Sequence, residues 1–301
     1  MLQPLIANVR GAITLILMTL NVVFWYLPIM VLTLFKIVLP ITPVRDLLTR
    51  LLTLCAECWI YCNKAIFALM LNVQWHVSGV GKLERKDWYL VISNHRSWID
   101  ILALQQVLTG KIPFLKFFIK QSLIWMPFLG QAWWALDMPF MKRYTRQEIE
   151  RNPELQGKDL ETTRKACQHF SRMPTTVFNF VEGTRFTAAK HSKTQSPFAH
   201  LLLPKAGGIA FTMGSMNNIL RRLLDVTIVY PERSLSLWDF CCGRVHQVIV
   251  DVRERELESW MGEGDYSQDQ EYRQRVQEWL RQLWLEKDQR IKELQAQHAK
   301  A

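Results

Sequence analysis

Glycine and proline are scarce in this chain, 13 and 12 among 301 residues, and neither an internal repeat nor a low-complexity stretch interrupts it. Collagen-like and disordered classes are thereby excluded, because a 49% hydrophobic content supplies enough apolar surface for a packed core. Cysteine is sparse as well. Cys55, Cys58 and Cys62 fall at helical spacing in an apolar stretch, Cys167, Cys241 and Cys242 lie elsewhere, no second Cys-x-x-Cys exists, and the nearest histidine is the lone His76. A zinc site needs about four converging ligands, so no metal is expected and the thiols read as small apolar side chains in a reducing compartment.

Charge is absent over a long run. From Gly11 to Phe35 no charged side chain occurs, with Arg10 and Lys36 as brackets. As a helix this run is about 37 Å long, enough to cross a hydrocarbon core of roughly 30 Å. A cleaved signal peptide has a shorter apolar region and a small-residue cleavage site, neither of which is found, so the run reads as a membrane anchor. A second apolar stretch, Leu47 to Leu71, is broken by Arg50, Glu57 and Lys64. The pair reads as a hairpin dipping into one leaflet, with those charges in the headgroup layer, or as a span followed by an interfacial helix; a third reading buries Leu47 to Leu71 in a soluble part. Cations on both flanks leave the positive-inside rule without a direction.

What is present in excess is positive charge. A formal net charge of +10 and a pI near 9.4 predict attraction to polyanions, and with an anchor in place the polyanion is a phospholipid surface rather than nucleic acid.

Past residue 72 the periodicity changes. "VQWHVSG" at 73–79 and "WYLVIS" at 88–93 are rich in β-branched and aromatic residues, and strands are also predicted over Ala132 to Met138, Thr176 to Val181, Asp225 to Tyr230 and Val245 to Val252. Helical patterns separate them at Ile99 to Leu108, Asp159 to Ser171 and Gly207 to Leu220. The alternation predicts an α/β fold, a single mixed-sheet domain flanked by helices. From Gln268 to Ala299 the pattern sets Val276, Leu280, Leu283 and Trp284 on one stripe of an amphipathic helix, packed on the domain or on a membrane face. The expected organisation is membrane-associated helices over 1–72, the α/β domain over 73–255 and a charged C-terminal helix over 256–301.

"VISNHRSWID", residues 91–100, runs from a strand into a polar turn and a helix, and ligand sites of α/β folds lie at such strand ends. Five positions turn a helix by about 500°, leaving His95 and Asp100 roughly 140° apart if both were helical, so the histidine belongs in the turn. From the first helical turn Asp100 can reach back to the imidazole, fix its tautomer and support the cation formed when His95 takes a proton. The alternative is an ordinary polar turn followed by a helix-start acid. "FNFVEGTRFT", residues 178–187, repeats the arrangement: Gly183 and Thr184 offer backbone N–H groups, Arg185 a bidentate fork for phosphate, and Glu182 a grip on that guanidinium or on a substrate hydroxyl. Lys142 and Arg143 in "DMPFMKR" follow another predicted strand and add a cationic pair. One charge after a strand is ordinarily just solvated; three such turns in one domain point to a shared site.

The His95 and Asp100 pair, Phe140 to Arg143, Phe180 to Arg185 and "DVTIVY" at 225–230 follow one another in the order and approximate spacing of four motif blocks. On these residues the chain resembles the 1-acylglycerol-3-phosphate acyltransferase (lysophosphatidate acyltransferase) superfamily of glycerolipid acyltransferases over about residues 70–255. "EGTRFTAAKH" and "HLLLPKAGGIAF" look closer to the eukaryotic-type lysophosphatidate and lysocardiolipin branch. Phe186 stands where many relatives carry serine, and Ser122 where many carry glutamate, departures that bear on the acyl donor and the acceptor.

The resemblance implies a membrane-bound O-acyltransferase that moves a fatty acyl group from a thioester, acyl-CoA or acyl-ACP, to the sn-2 hydroxyl of lysophosphatidic acid, giving phosphatidic acid. Lysocardiolipin or lysophosphatidylglycerol is the alternative acceptor. His95 is then the general base and Asp100 its orienter, with backbone N–H groups and Lys120 at the oxyanion. Lys142, Arg143, Glu182, Gly183, Thr184 and Arg185 surround the acceptor phosphate, and neither metal, cofactor nor covalent enzyme intermediate is required. The catalytic domain is expected to face the cytoplasm, at the inner membrane in a bacterium. The belt "FLKFFIKQSLIWMPFLGQAWW", residues 114–134, lines an acyl channel, lies on the membrane or packs a core. Two other classes compete: a metal-dependent phosphodiester hydrolase, which lacks further His/Asp clusters, and a non-catalytic lipid-binding protein, motivated by charge and anchor.

Overall fold

A computed structural model describes residues 2–141, 173–216, 219–232 and 236–298, together with Arg151, Asn152, Glu154 and Phe170. The helices used below are α1 (Leu2–Val38), α2 (Thr42–Met70), α3 (Ile99–Leu108), α4 (Leu129–Ala135), α5 (Ala188–Thr194), α6 (Ala206–Ser215), α7 (Leu237–Cys241) and α8 (Gln270–His298). The strands are β1 (Gln74–Ser78), β2 (Tyr89–Ser93), β3 (Leu115–Phe117), β4 (Ile119–Lys120), β5 (Phe140–Met141), β6 (Thr176–Phe180), β7 (Arg222–Val229) and β8 (Gln247–Glu256). The described residues form two compact units, one drawn from 1–74, 118–142 and 236–246, the other from 75–117, 143–235 and 247–301.

In the first unit α1 and α2 are joined by residues 39–41, short enough to force an antiparallel hairpin. Both helices are long and apolar enough to cross a membrane, and Leu5, Ile16, Leu20, Phe24 and Leu27 of α1 are exposed. Asn21, a polar interruption of the apolar run, is answered inside the hairpin: its Nδ2 donates to Asn63 Oδ1 at 2.9 Å and to the Trp59 carbonyl at 3.0 Å. Glu57, one of the charges that interrupt the second apolar stretch, is 4% exposed, because it shares with Ile60 and Asn63 the buried face of α2.

The predicted strand over Ala132 to Met138 is corrected, for α4 runs through Ala135 and Asp137 turns at φ 55°. Local bonds decide this: Gly130 N–H donates to the Met126 carbonyl at 2.9 Å and Ala132 N–H to the Phe128 carbonyl at 3.0 Å, folding the segment back on the 3₁₀ turn Gln121–Trp125. Lys36 of α1 pairs with Asp137 at 2.7 Å, and β4 pairs with β5 in a separate parallel ribbon.

The second unit is built on a mixed six-stranded sheet in the order β1-β8-β7-β2-β6-β3. β3, β6, β2 and β7 are parallel, and β8 runs antiparallel to β7. Every residue of β2 is buried, which is why "YLVIS" reads as a continuous apolar run rather than an alternation. α3 begins and ends where its pattern predicts, at Ile99 and Leu108, and the expected helix over Asp159 to Ser171 lies outside the described residues except at Phe170. α8 lays Tyr272, Val276, Leu280, Leu283, Trp284, Lys287, Ile291 and Leu294 on one buried face and packs on β7 and α6.

Candidate active site

Ser93, the last residue of β2, lies beside Phe180 of β6 on one side and Val226 of β7 on the other. Parallel strands in this register release their following loops at one end of the sheet, so His95, the Glu182 turn and Tyr230 converge. A hydrogen bond from Phe186 N–H to the His95 carbonyl at 2.7 Å ties the first two loops. The His95 loop is also pinned to β7, since the buried Asn94 amide donates to the Ile228 carbonyl and accepts from Ile228 N–H, both at 2.9 Å.

His95 sits in the turn before α3 and Asp100 in the first turn of that helix. Asp100 is fully buried and meets four donors. Its Oδ2 faces His95 Nδ1 at 2.8 Å and accepts from the N–H groups of Arg96 at 2.6 Å and Ser97 at 2.9 Å, and its Oδ1 accepts from the Tyr230 hydroxyl at 2.7 Å. A carboxylate opposite Nδ1 assigns the proton to that nitrogen and leaves Nε2 its lone pair. The imidazole is stacked on Phe180 with centroids 3.8 Å apart and 14° between planes, and its side chain keeps 15% exposure. Burial first, then the charge and hydrogen bond of Asp100, hold the Tyr230 phenol well above its usual pKa, so it remains a donor.

Glu182 is a second correction. Predicted to hold Arg185 or a substrate hydroxyl, it is 1% exposed and gives both oxygens to backbone: Oε1 accepts from His95 N–H at 3.1 Å and Oε2 from Leu202 N–H at 2.9 Å. Burial raises its pKa to about 7, while the Leu202 and His95 N–H groups and Lys287 pull it down and Asp100 pushes it up. Gly183 is a third. Its N–H, expected on phosphate, donates to the Phe180 carbonyl at 2.8 Å in a tight turn, and its φ of 67° suits a residue without Cβ.

The other predicted contacts are distributed. Thr184 Oγ1 accepts from Lys190 Nζ at 2.7 Å, and the same ammonium donates to the Arg185 carbonyl at 3.0 Å. Arg185 is exposed, its guanidinium carbon 5.1 Å from the centroid of the Trp98 ring. Lys120 is exposed on β4 of the first unit, and Lys142 and Arg143 lie outside the described residues.

Sequence reasoning overlooked Tyr230, Asn94, Lys190 and Lys287. Tyr230 had a signal, its place just after a strand in the last motif block; Lys287 had one in register, falling on the α8 stripe between Trp284 and Ile291. Lys287 is fully buried, paired with Asp225 and donating to the Val226 carbonyl at 2.7 Å. Burial pulls its pKa down, opposed by the Asp225 carboxylate.

A mixed α/β sheet with an imidazole–carboxylate pair at the carboxyl ends of its parallel strands defines an acid–base site of the α/β class. The family model described as Acyltransferase matches residues 74–230, and the chain belongs to that family. It is 27% identical over 216 residues to the 1-acyl-sn-glycerol-3-phosphate acyltransferase delta of Homo sapiens, the match covering 67% of this chain and 52% of that protein. To the gamma form of Mus musculus it is 26% identical over 245 residues, covering 78% and 57%. The chain thus spans about half the length of the curated relatives it matches. The crystal structure of the 1-acyl-sn-glycerophosphate (LPA) acyltransferase PlsC from Thermotoga maritima superposes with a TM-score of 0.59 over 98% of both chains at 13% identity, a likeness of fold.

Proposed function

We propose that this chain transfers a fatty acyl group from a thioester of coenzyme A or acyl carrier protein to the sn-2 hydroxyl of lysophosphatidic acid, giving phosphatidic acid. The observation that carries the reading is the 2.8 Å contact of His95 Nδ1 with an Asp100 carboxylate that is fully buried and saturated by three further donors. Such a carboxylate holds the ring in one orientation and stabilises its protonated form.

In the reaction, His95 Nε2 takes the proton of the acceptor hydroxyl as its oxygen attacks the thioester carbonyl. The tetrahedral intermediate bears its charge on the former carbonyl oxygen, where backbone N–H groups stabilise it. Collapse breaks the carbon–sulfur bond, and the departing thiolate takes the proton from the imidazolium, returning His95 to its starting state. Arg185 holds the acceptor phosphate. The names of the relatives, 1-acyl-sn-glycerol-3-phosphate acyltransferases, support this acceptor.

α1 and α2 hold the enzyme at a bilayer, where both the lysophospholipid and the acyl chain reside, with the catalytic unit on the cytoplasmic side where thioester donors occur. The test is an acceptor panel offered to membranes carrying the parent or His95→Ala with labelled acyl-CoA and acyl-ACP. Phosphatidic acid formed by the parent and lost in the variant is expected; equal product from both, or product only from lysocardiolipin or lysophosphatidylglycerol, would overturn it.

A further inference from the structure

The Phe186-to-His95 hydrogen bond joins two loops, and on either side of it each loop lends an arginine to the other's ring. Arg185, from the Glu182 loop, lies 5.1 Å from the Trp98 centroid; Arg96, from the His95 loop, lies 5.0 Å from the Phe186 centroid. Aromatic seats fix a guanidinium in plane while leaving its edge N–H groups for an anion. Among the described residues no carboxylate forms an ion pair with either arginine. The acids nearest in sequence are committed elsewhere: Asp100 to imidazole, amides and phenol, Glu182 to two backbone N–H groups. Lys190 Nζ adds a third cation against Thr184 and the Arg185 carbonyl. Among the described residues these three cations, Arg96, Arg185 and Lys190, meet no carboxylate, and together they call for more than one negative charge. A phosphomonoester carries about −1.5 to −2 near pH 7, whereas a phosphodiester carries a single charge.

We infer that Arg96, seated on Phe186, is a second guanidinium of the headgroup clamp, opposite Arg185, and that it selects acceptors bearing a phosphomonoester over those bearing a phosphodiester. The inference deepens the acyl-transfer reading and rests on it. Arg96 is a binding and specificity residue, and Phe186 acts through it as a positioning residue.

The test measures steady-state acyl transfer by the purified full chain, with lysophosphatidic acid and lysophosphatidylglycerol as acceptors and acyl-CoA as donor. Arg96→Gln is expected to raise the lysophosphatidic acid KM about tenfold or more and to leave the KM of lysophosphatidylglycerol and of acyl-CoA within about twofold, with kcat little changed. Arg96→Lys recovers part of the loss. Phe186→Leu raises the same KM about two- to fivefold, and adds nothing in an Arg96→Gln background, a non-additivity that a merely structural role does not produce. The proposal falls if Arg96→Gln acts equally on both acceptors, acts on kcat alone, or raises the acyl-CoA KM instead, which would assign the guanidinium to phosphates of the donor. A parent inactive on both acceptors overturns the acyl-transfer reading and this inference with it; an active parent indifferent to Arg96 overturns this inference alone.

Discussion

Two regions of the sheet-bearing unit treat charge in opposite ways. Along the face covered by α8, each charge meets its opposite: Lys287 pairs with Asp225, Arg290 with Asp251 at 2.9 Å, and Arg255 with Glu286 at 2.7 Å. At the carboxyl ends of β2, β6 and β7, acids meet amides, phenol and imidazole while Arg96 and Arg185 rest on aromatic rings. Opposite charges that neutralise one another hold elements together and bind nothing further. A cation held by a ring remains able to attract an anion. Among the described residues the difference separates charges paired within the fold from charges seated on aromatic rings.

Asp100→Asn breaks the contrast hardest on the site side, because the amide no longer stabilises the imidazolium. Turnover should fall about 10³-fold with the acceptor KM little changed, read in steady-state acyl transfer. On the α8 side, Lys287→Met leaves the Asp225 carboxylate buried without its closest partner, and a loss of about 3–5 kcal/mol in urea unfolding is expected. Lys287→Met combined with Asp225→Leu should restore most of that stability, since neither charge is then stranded.

Glu182 straddles the comparison, an acid that forms no ion pair among the described residues and is held by two backbone N–H groups. Its folded pKa of about 7 lies above the ordinary 4.5. Below pH 4.5 the carboxyl is protonated in folded and unfolded chains alike, and between 4.5 and 7 only the folded chain holds the proton. Stability therefore falls as pH rises through that window, by on the order of 3 kcal/mol, and is flat above it with respect to this group. Urea midpoints across the window should show this slope, diminished in Glu182→Gln; an unchanged slope in the variant would remove Glu182 as its source.

The smaller effects sharpen the contrast. Arg185→Ala should raise the acceptor KM about tenfold while unfolding shifts by no more than about 0.5 kcal/mol, as fits an exposed side chain that pairs with no carboxylate among the described residues. Tyr230→Phe removes one of the four donors to Asp100, and a two- to tenfold loss of turnover is expected.

Much of this arrangement was legible along the chain. The apolar run predicted α1, the separation of His95 and Asp100 placed the histidine outside the helix, and the α8 stripe marked the face that packs on the sheet. What escaped were contacts between distant segments. Glu182 looked like a ligand residue because its neighbours are Gly183, Thr184 and Arg185, and only the approach of Leu202 and His95 N–H groups reveals it as a clamp. α4 reads as a strand because a short continuous apolar run, Ala132 to Leu136, fits a buried strand and a buried helix alike, and the close turn at Gly130 decides between them.

Local periodicity and charge thus determined the two long apolar helices, the alternation of strands with helices and the identity of the imidazole–carboxylate pair, since each follows from spacing within a few residues. The parallel register of β2, β6 and β7 decided everything that unites the site: Tyr230 on Asp100, Glu182 between two loops, and Arg96 on Phe186. Those contacts join residues separated by up to 130 positions, and a hydrogen bond or a stacked ring is set by proximity in space, which no linear spacing encodes.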